Sequence, residues 1–142
     1  MCVRNEPRIP AQVLRVSDDC FEIVHAHVQS MKHTDNIQGY HAHVYFDAET
    51  KAQAQALCET AAMQFGVQMG HMHDRAVGPH PLPSCQLGAT PAQFEKLLPW
   101  LALNRDDLVV FCHPETGAHL EDHRDHGIWL SEGLALNLSI FR

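Results

Sequence analysis

Apolar and polar positions follow two rhythms in this chain, a period of two and a period near 3.6, and the switches between them outline a fold. Residues 40–46 are rich in aromatic and β-branched side chains and predict a strand with His41, His43 and Tyr45 on one face. Ala54, Leu57, Ala61 and Phe65 then recur at helical spacing. Thr50 and Gln53 have capping-box spacing at the helix start, and Gly66 suits its C-cap. A second strand is expected at 67–75, with Val67, Met69, His71 and His73 sharing a face. Pro79, Pro81 and Pro83 exclude regular structure, because proline lacks an amide donor and fixes φ. A third strand is expected at 84–87.

Thr90, Pro91 and Gln93 combine a cap, an N1 proline and a capping-box partner, and Phe94, Leu97, Leu98 and Leu101 supply one apolar stripe. Pro99 falls inside that stripe, which predicts a kink or an early end. Residues 108–112 read as a buried strand that delivers His113 at its end. Residues 114–129 are polar without a clear period. Leu134, Leu136, Leu138 and Ile140 alternate and predict a closing strand. Upstream, residues 1–39 carry weaker signals: a short apolar run around Val13, Leu14 and Val16, a strand candidate at 21–28, and a turn at Gly39. They are read as an N-terminal extension to a domain spanning 40–142.

The order strand, helix, strand, strand, helix, strand predicts an α+β, ferredoxin-like βαββαβ sandwich with an extra strand at each end. In that topology strand 40–46 is central, antiparallel to both the third strand and strand 108–112. His113 then lies near the Tyr40 end, which also receives the 114–129 loop.

Composition narrows the function. A chain of 142 residues fits one compact domain with its own core. Its formal net charge of -7 disfavours phosphate backbones, so nucleic acid is not an expected partner. No apolar run approaches the roughly 20 residues of a membrane-spanning helix. Residues 1–10 contain no secretory apolar segment, and five cysteines without CxxC spacing suit free thiols in a reducing compartment, so a cytoplasmic location is expected.

Histidine changes the picture most, with 12 dispersed along the chain. Neutral imidazole is the commonest metal ligand. His41-x-His43 on one strand face places two rings roughly 7 Å apart at the backbone, close enough to share a cation. His113 leaves a buried strand into a turn, a position suited to chemistry. His123 and His126 lie three apart, as on one helical turn, each directly after an aspartate, Asp122 and Asp125. His71-x-His73 has the same spacing as His41-x-His43 but is read as incidental, and His25, His27, His33 and His119 are read as surface residues. Histidine with carboxylate suits Fe(II) and also zinc.

Taken together these blocks resemble the DOPA 4,5-dioxygenase family. The likeness runs from Tyr40-His41-Ala42-His43-Val44-Tyr45-Phe46-Asp47 through Gly78-Pro79-His80-Pro81 and Asn104-Arg105. It continues over residues 108–117 (Leu108 to Gly117), Asp122-His123 and Trp129-Leu130. The resemblance implies extradiol opening of a catechol such as DOPA with Fe(II) and O2, a ferredoxin-like fold and a homodimer. On that reading His43, His113 and His123 hold iron, with His41 as substitute or neighbour; zinc or nickel could replace iron in a crystal. His80 or His126 serves as acid–base group. Tyr45, Phe46 and Trp129 line the aromatic pocket, and Glu121 or Asp122 is the nearest carboxylate. Two other readings use the same residues: a non-catalytic metal-binding module, and a ligand-binding ferredoxin-like dimer whose histidines are incidental.

Overall fold

The computed structural model describes residues 35–142; the strand expected at 21–28 lies outside the described residues. Five strands form one antiparallel sheet: β1 (Gly39–Tyr45), β2 (Gln68–His73), β3 (Ser84–Ala89), β4 (Val110–Glu115) and β5 (Ile128–Leu130), in the order β2-β3-β1-β4-β5. Helix α1 (Lys51–Phe65) connects β1 to β2 and α2 (Pro91–Asn104) connects β3 to β4. A short α3 (His119–Arg124) and a 3-10 turn (Leu138–Phe141) follow β4. This is the expected ferredoxin-like arrangement with β1 central, antiparallel to β3 and β4.

Strand alternation sorts the side chains onto two faces. Ala42, Val44 and Phe46 join Cys85 and Leu87 of β3 and Val110 and Cys112 of β4 in the apolar core. Ala54, Leu57, Cys58 and Ala61 of α1, with Phe94, Leu97 and Leu101 of α2, pack into the same core. The opposite face therefore carries His41, His43 and Tyr45 from β1 and Phe111, His113 and Glu115 from β4. Gln86 of β3 pairs with His43 on that face.

Several local expectations change. Gly39 lies within β1, where a Cβ would come 3.0 Å from the Ala89 carbonyl oxygen and 3.2 Å from Glu115 Oε2. Thr50 caps α1 without a side-chain bond into the helix, because its hydroxyl is engaged by Asp47, while Gln53 reaches Asp106. Thr90 and Gln93 do form the reciprocal capping box, and α2 runs through Pro99 to Asn104. A bulge between Met69 and Met72 breaks the face-sharing expected of β2: both methionines pack on the core, and His71 is exposed. The extra C-terminal strand exists, but Ile128–Leu130 makes it. Leu134, Leu136 and Leu138 are half-buried without joining the ladder.

Candidate metal centre

Five histidines meet on the open face of the sheet, from β1, the β2–β3 loop, β4 and α3. The ligand atoms of His41, His43 and His113 lie within 4.8 Å of one another, and so do those of His43, His80 and His123. Adjacency of β1 and β4 accounts for the first group, since His41 pairs with His113 across the ladder. His80 arrives from the proline-rich loop, its backbone N–H donating to the Val77 carbonyl at 3.1 Å, and its ring centroid is 3.8 Å from that of His43. His123 arrives on α3, its ring centroid 3.9 Å from that of His113.

Buried Asp122 sets the position of α3. One carboxylate oxygen accepts the Thr116 backbone N–H at 2.9 Å and the other accepts the Thr116 hydroxyl at 2.6 Å. Thr116 directly follows β4, so this clamp ties the strand carrying His113 to the helix carrying His123.

The rings are held neutral. Burial pushes the His113 pKa down to about 4 against a raising hydrogen bond to Pro114, and burial aided by His123 and His41 takes His80 down to about 4. Burial, then the neighbouring histidines, holds His43 well below 6.5. Burial also lowers His123 and His41, the latter against the raising effect of Glu115. Neutral imidazole leaves one ring nitrogen free as a lone-pair donor.

Hydrogen bonds decide which nitrogen that is. His113 Nδ1 lies 2.9 Å from the Pro114 carbonyl and His123 Nδ1 lies 2.7 Å from the His119 carbonyl. A carbonyl can only accept, so both Nδ1 atoms carry the proton and both Nε2 atoms keep lone pairs. His43 Nε2 faces His113 Nε2 at 3.2 Å. Two nitrogens bound about 2.1 Å from one ion at octahedral or tetrahedral angles stand about 3.0–3.4 Å apart, so the donor set fits a single metal. His41 differs: its Nε2 donates to Glu115 Oε1 at 3.1 Å.

The cavity beside this cluster measures about 280 Å³ and is lined by the five histidines and His119, with Gln86, Glu115, Asp122, Phe141 and the 77–79 loop. A cavity of about 150 Å³ holds benzene, so a single substituted aromatic ring fits. A polar trough of about 410 Å³ adjoins it, sharing His41, Gln86 and Glu115.

Other residues singled out from the sequence stand elsewhere. Tyr45 is buried behind His80, its hydroxyl 2.7 Å from His80 Nδ1. Trp129 stacks on Tyr45 and packs at a tilt against Phe111 rather than lining the cavity. Phe46 lies in the helix-covered core, on the opposite face from the histidines. His126 is exposed and outside the cavity lining, as is Glu121.

Five liners were not anticipated: Val77, His119, which was read as a surface residue, Glu115, Gln86 and Phe141. Glu115 stands two residues from His113, and strand alternation would have placed it on the same face had β4 been extended beyond Cys112. Gln86 follows from the register opposite His43. Phe141, whose ring centroid is 4.7 Å from that of His123, comes from a 3-10 turn that left no sequence signal.

A ferredoxin-like sheet with neutral histidines converging on its open face defines a protein equipped to hold one metal ion beside a ring-sized cavity. The Dopa 4,5-dioxygenase family profile matches residues 40–140, and the chain belongs to that family. It is 29% identical over 117 residues to a DOPA 4,5-dioxygenase of Amanita muscaria, covering 72% of this chain and 49% of the relative. An uncharacterised 21.2 kDa protein of Botryotinia fuckeliana is 32% identical over 115 residues, covering 72% of this chain and 63% of the relative. The chain thus spans about half to two thirds of these curated relatives. A candidate dioxygenase from Nostoc punctiforme, known from its crystal structure, superposes with a TM-score of 0.74. It is 43% identical, with 78% of this chain and 96% of that chain covered. Among the described residues no helix is long and apolar enough to cross a membrane.

Proposed function

We propose that this chain is a non-haem iron dioxygenase that opens the ring of a catechol, such as DOPA, in the extradiol manner with O2. The observation that carries the reading is the His43–His113 pair, with ring nitrogens 3.2 Å apart and the far nitrogen of His113 locked as a donor to a carbonyl. Family membership supports the reaction class.

His43, His113 and His123 would hold the ion, with His41 alongside, drawn toward Glu115. When bound, Fe(II) supplies a Lewis-acidic, redox-active centre that lowers the pKa of a catechol hydroxyl. The chain supplies the rest. Burial keeps the imidazoles neutral and so available to a cation at neutral pH. His80 is placed beside His43 to hold or pass a proton near the reacting ring, and exposed His126 is set aside for that role. Phe141 offers an apolar wall, and the trough past His41 leaves room for the substituent of the ring.

Anaerobic reconstitution with Fe(II), followed by oxygen uptake with DOPA, protocatechuate and catechol, tests this. Uptake of one O2 per catechol with appearance of a yellow ring-opened product is expected. Iron binding without oxygen uptake from any catechol would refute it.

A further inference from the structure

We propose that Tyr45 is a positioning residue: its hydroxyl fixes His80 as the Nε2–H tautomer, which leaves His80 a proton-bearing group beside His43 and keeps it out of the metal's ligand set. The functional half of this inference rests on the reading above; the tautomer itself does not.

The five imidazoles look alike in sequence, but the Nδ1 atoms of three of them face different partners. Those of His113 and His123 face carbonyl oxygens, which have no proton to give. That of His80 faces a hydroxyl at 2.7 Å, which has one. A phenol can donate or accept, and burial decides between the two. Tyr45 is 2% exposed, and among the described residues His80 is the partner recorded for its hydroxyl. Were Tyr45 to accept from His80 instead, its own O–H would be buried without an acceptor, the less favourable arrangement. Tyr45 therefore donates to Nδ1, and neutral His80 carries its proton on Nε2.

A protonated nitrogen has no lone pair for a cation. His80 can offer Nε2 as a ligand only by reversing the Tyr45 bond and leaving the phenol O–H buried without an acceptor, whereas His113 and His123 present lone pairs with their bonds intact. The geometric group of His43, His80 and His123 is thus resolved by its hydrogen bonds: His80 belongs to it as a donor rather than as a ligand. Its surroundings hold it there. Its ring lies against His43, the ring of Tyr45 is stacked on Trp129, and the backbone turns at Gly78 with φ +59° to bring Pro79 and His80 in. Strand alternation alone puts Tyr45 on the histidine face, and the observed bond assigns it a task other than lining the cavity.

Long-range 1H–15N correlation spectra of the histidine-labelled full chain, metal-free and zinc-loaded, read the tautomers directly. His80 is expected as Nε2–H, and His113 and His123 as Nδ1–H. A wild-type His80 with its proton on Nδ1 overturns the proposal, and this measurement needs no variant. In Tyr45→Phe, His80 should become a tautomer mixture, metal stoichiometry should match wild type, and kcat should fall about tenfold or more with KM little changed. Loss of metal in Tyr45→Phe, or unchanged kcat alongside a changed tautomer, would also overturn it. Absence of any catechol turnover in wild type would refute the proposed reaction and leave the tautomer result standing.

Discussion

Replacing Asp122 with alanine should unfasten the helix that brings His123 to the cluster. The carboxylate is 1% exposed and satisfies both the backbone N–H and the hydroxyl of Thr116. Helix α3 is only six residues long, too short to persist without tertiary anchors. Hydrogen bonds to a charged group contribute about 1.5–3 kcal/mol each, and removing this acceptor also leaves two donors unpaired. Part of that cost is relieved as water reaches the exposed end of α3, so a net loss of about 3 kcal/mol is expected. Against a typical stability of about 5–15 kcal/mol the variant still folds. Asp122→Asn keeps one oxygen for the Thr116 N–H and should lose about 1 kcal/mol. Urea unfolding measures both, and iron content after reconstitution reports on His123; alanine should lower both readouts, and asparagine should lower them less. If Asp122→Ala lies within about 0.5 kcal/mol of wild type and binds iron fully, the clamp has been misjudged.

Acid should weaken the metal-free protein. His80 and His113 have folded-state pKa values depressed to about 4 from the ordinary 6.5, so the unfolded chain binds more protons between those values. Stability is retained above the unfolded value and lost as pH falls through that window; the urea midpoint should drop between about pH 7.5 and about pH 5, and a flat profile would count against neutral buried rings. Gly127→Ala places a Cβ against the Phe111 ring, 3.0 Å from Cζ with a closer clash at Cε2, and Phe111 packs on His113 and His123. About 1–3 kcal/mol of destabilisation is expected by thermal melting, and an unchanged melt would mean the ring yields freely. Cys58, Cys85 and Cys112 are buried, and burial pushes the Cys112 thiol up to about 12. Mass spectrometry after brief treatment with a thiol reagent should find all three unlabelled in the native chain and labelled in urea; native labelling would indicate an open core.

What could be read from sequence depended on the range of the interaction involved. Strand alternation at His41, His43 and Tyr45 and helical spacing at Leu97 and Leu101 are local, and the sheet order follows from them through a common topology. The capping box at Thr90 is local too, and it forms. At Thr50 the same pattern fails because Asp47, three residues upstream, competes for the hydroxyl. Leu134 to Ile140 alternate, yet β4 already has Ile128–Leu130 as its neighbour, so the segment finds no ladder to join. The convergence of His41, His43 and His113 could be inferred once the central strand was placed. The inward position of Glu115 follows from alternation once β4 is extended past Cys112, whereas the wall made by Phe141 and the burial of Tyr45 behind His80 depend on packing between distant segments. A single sequence does not encode these as a pattern.

Anomalous diffraction at the iron edge from crystals of the Fe(II)-loaded chain tests the central claim most directly. One site per chain is expected, bound by Nε2 of His43 and His113 with His123 beside them and His80 outside the ligand shell. Iron found only at His71 and His73, at another surface position, or not at all would contradict the account.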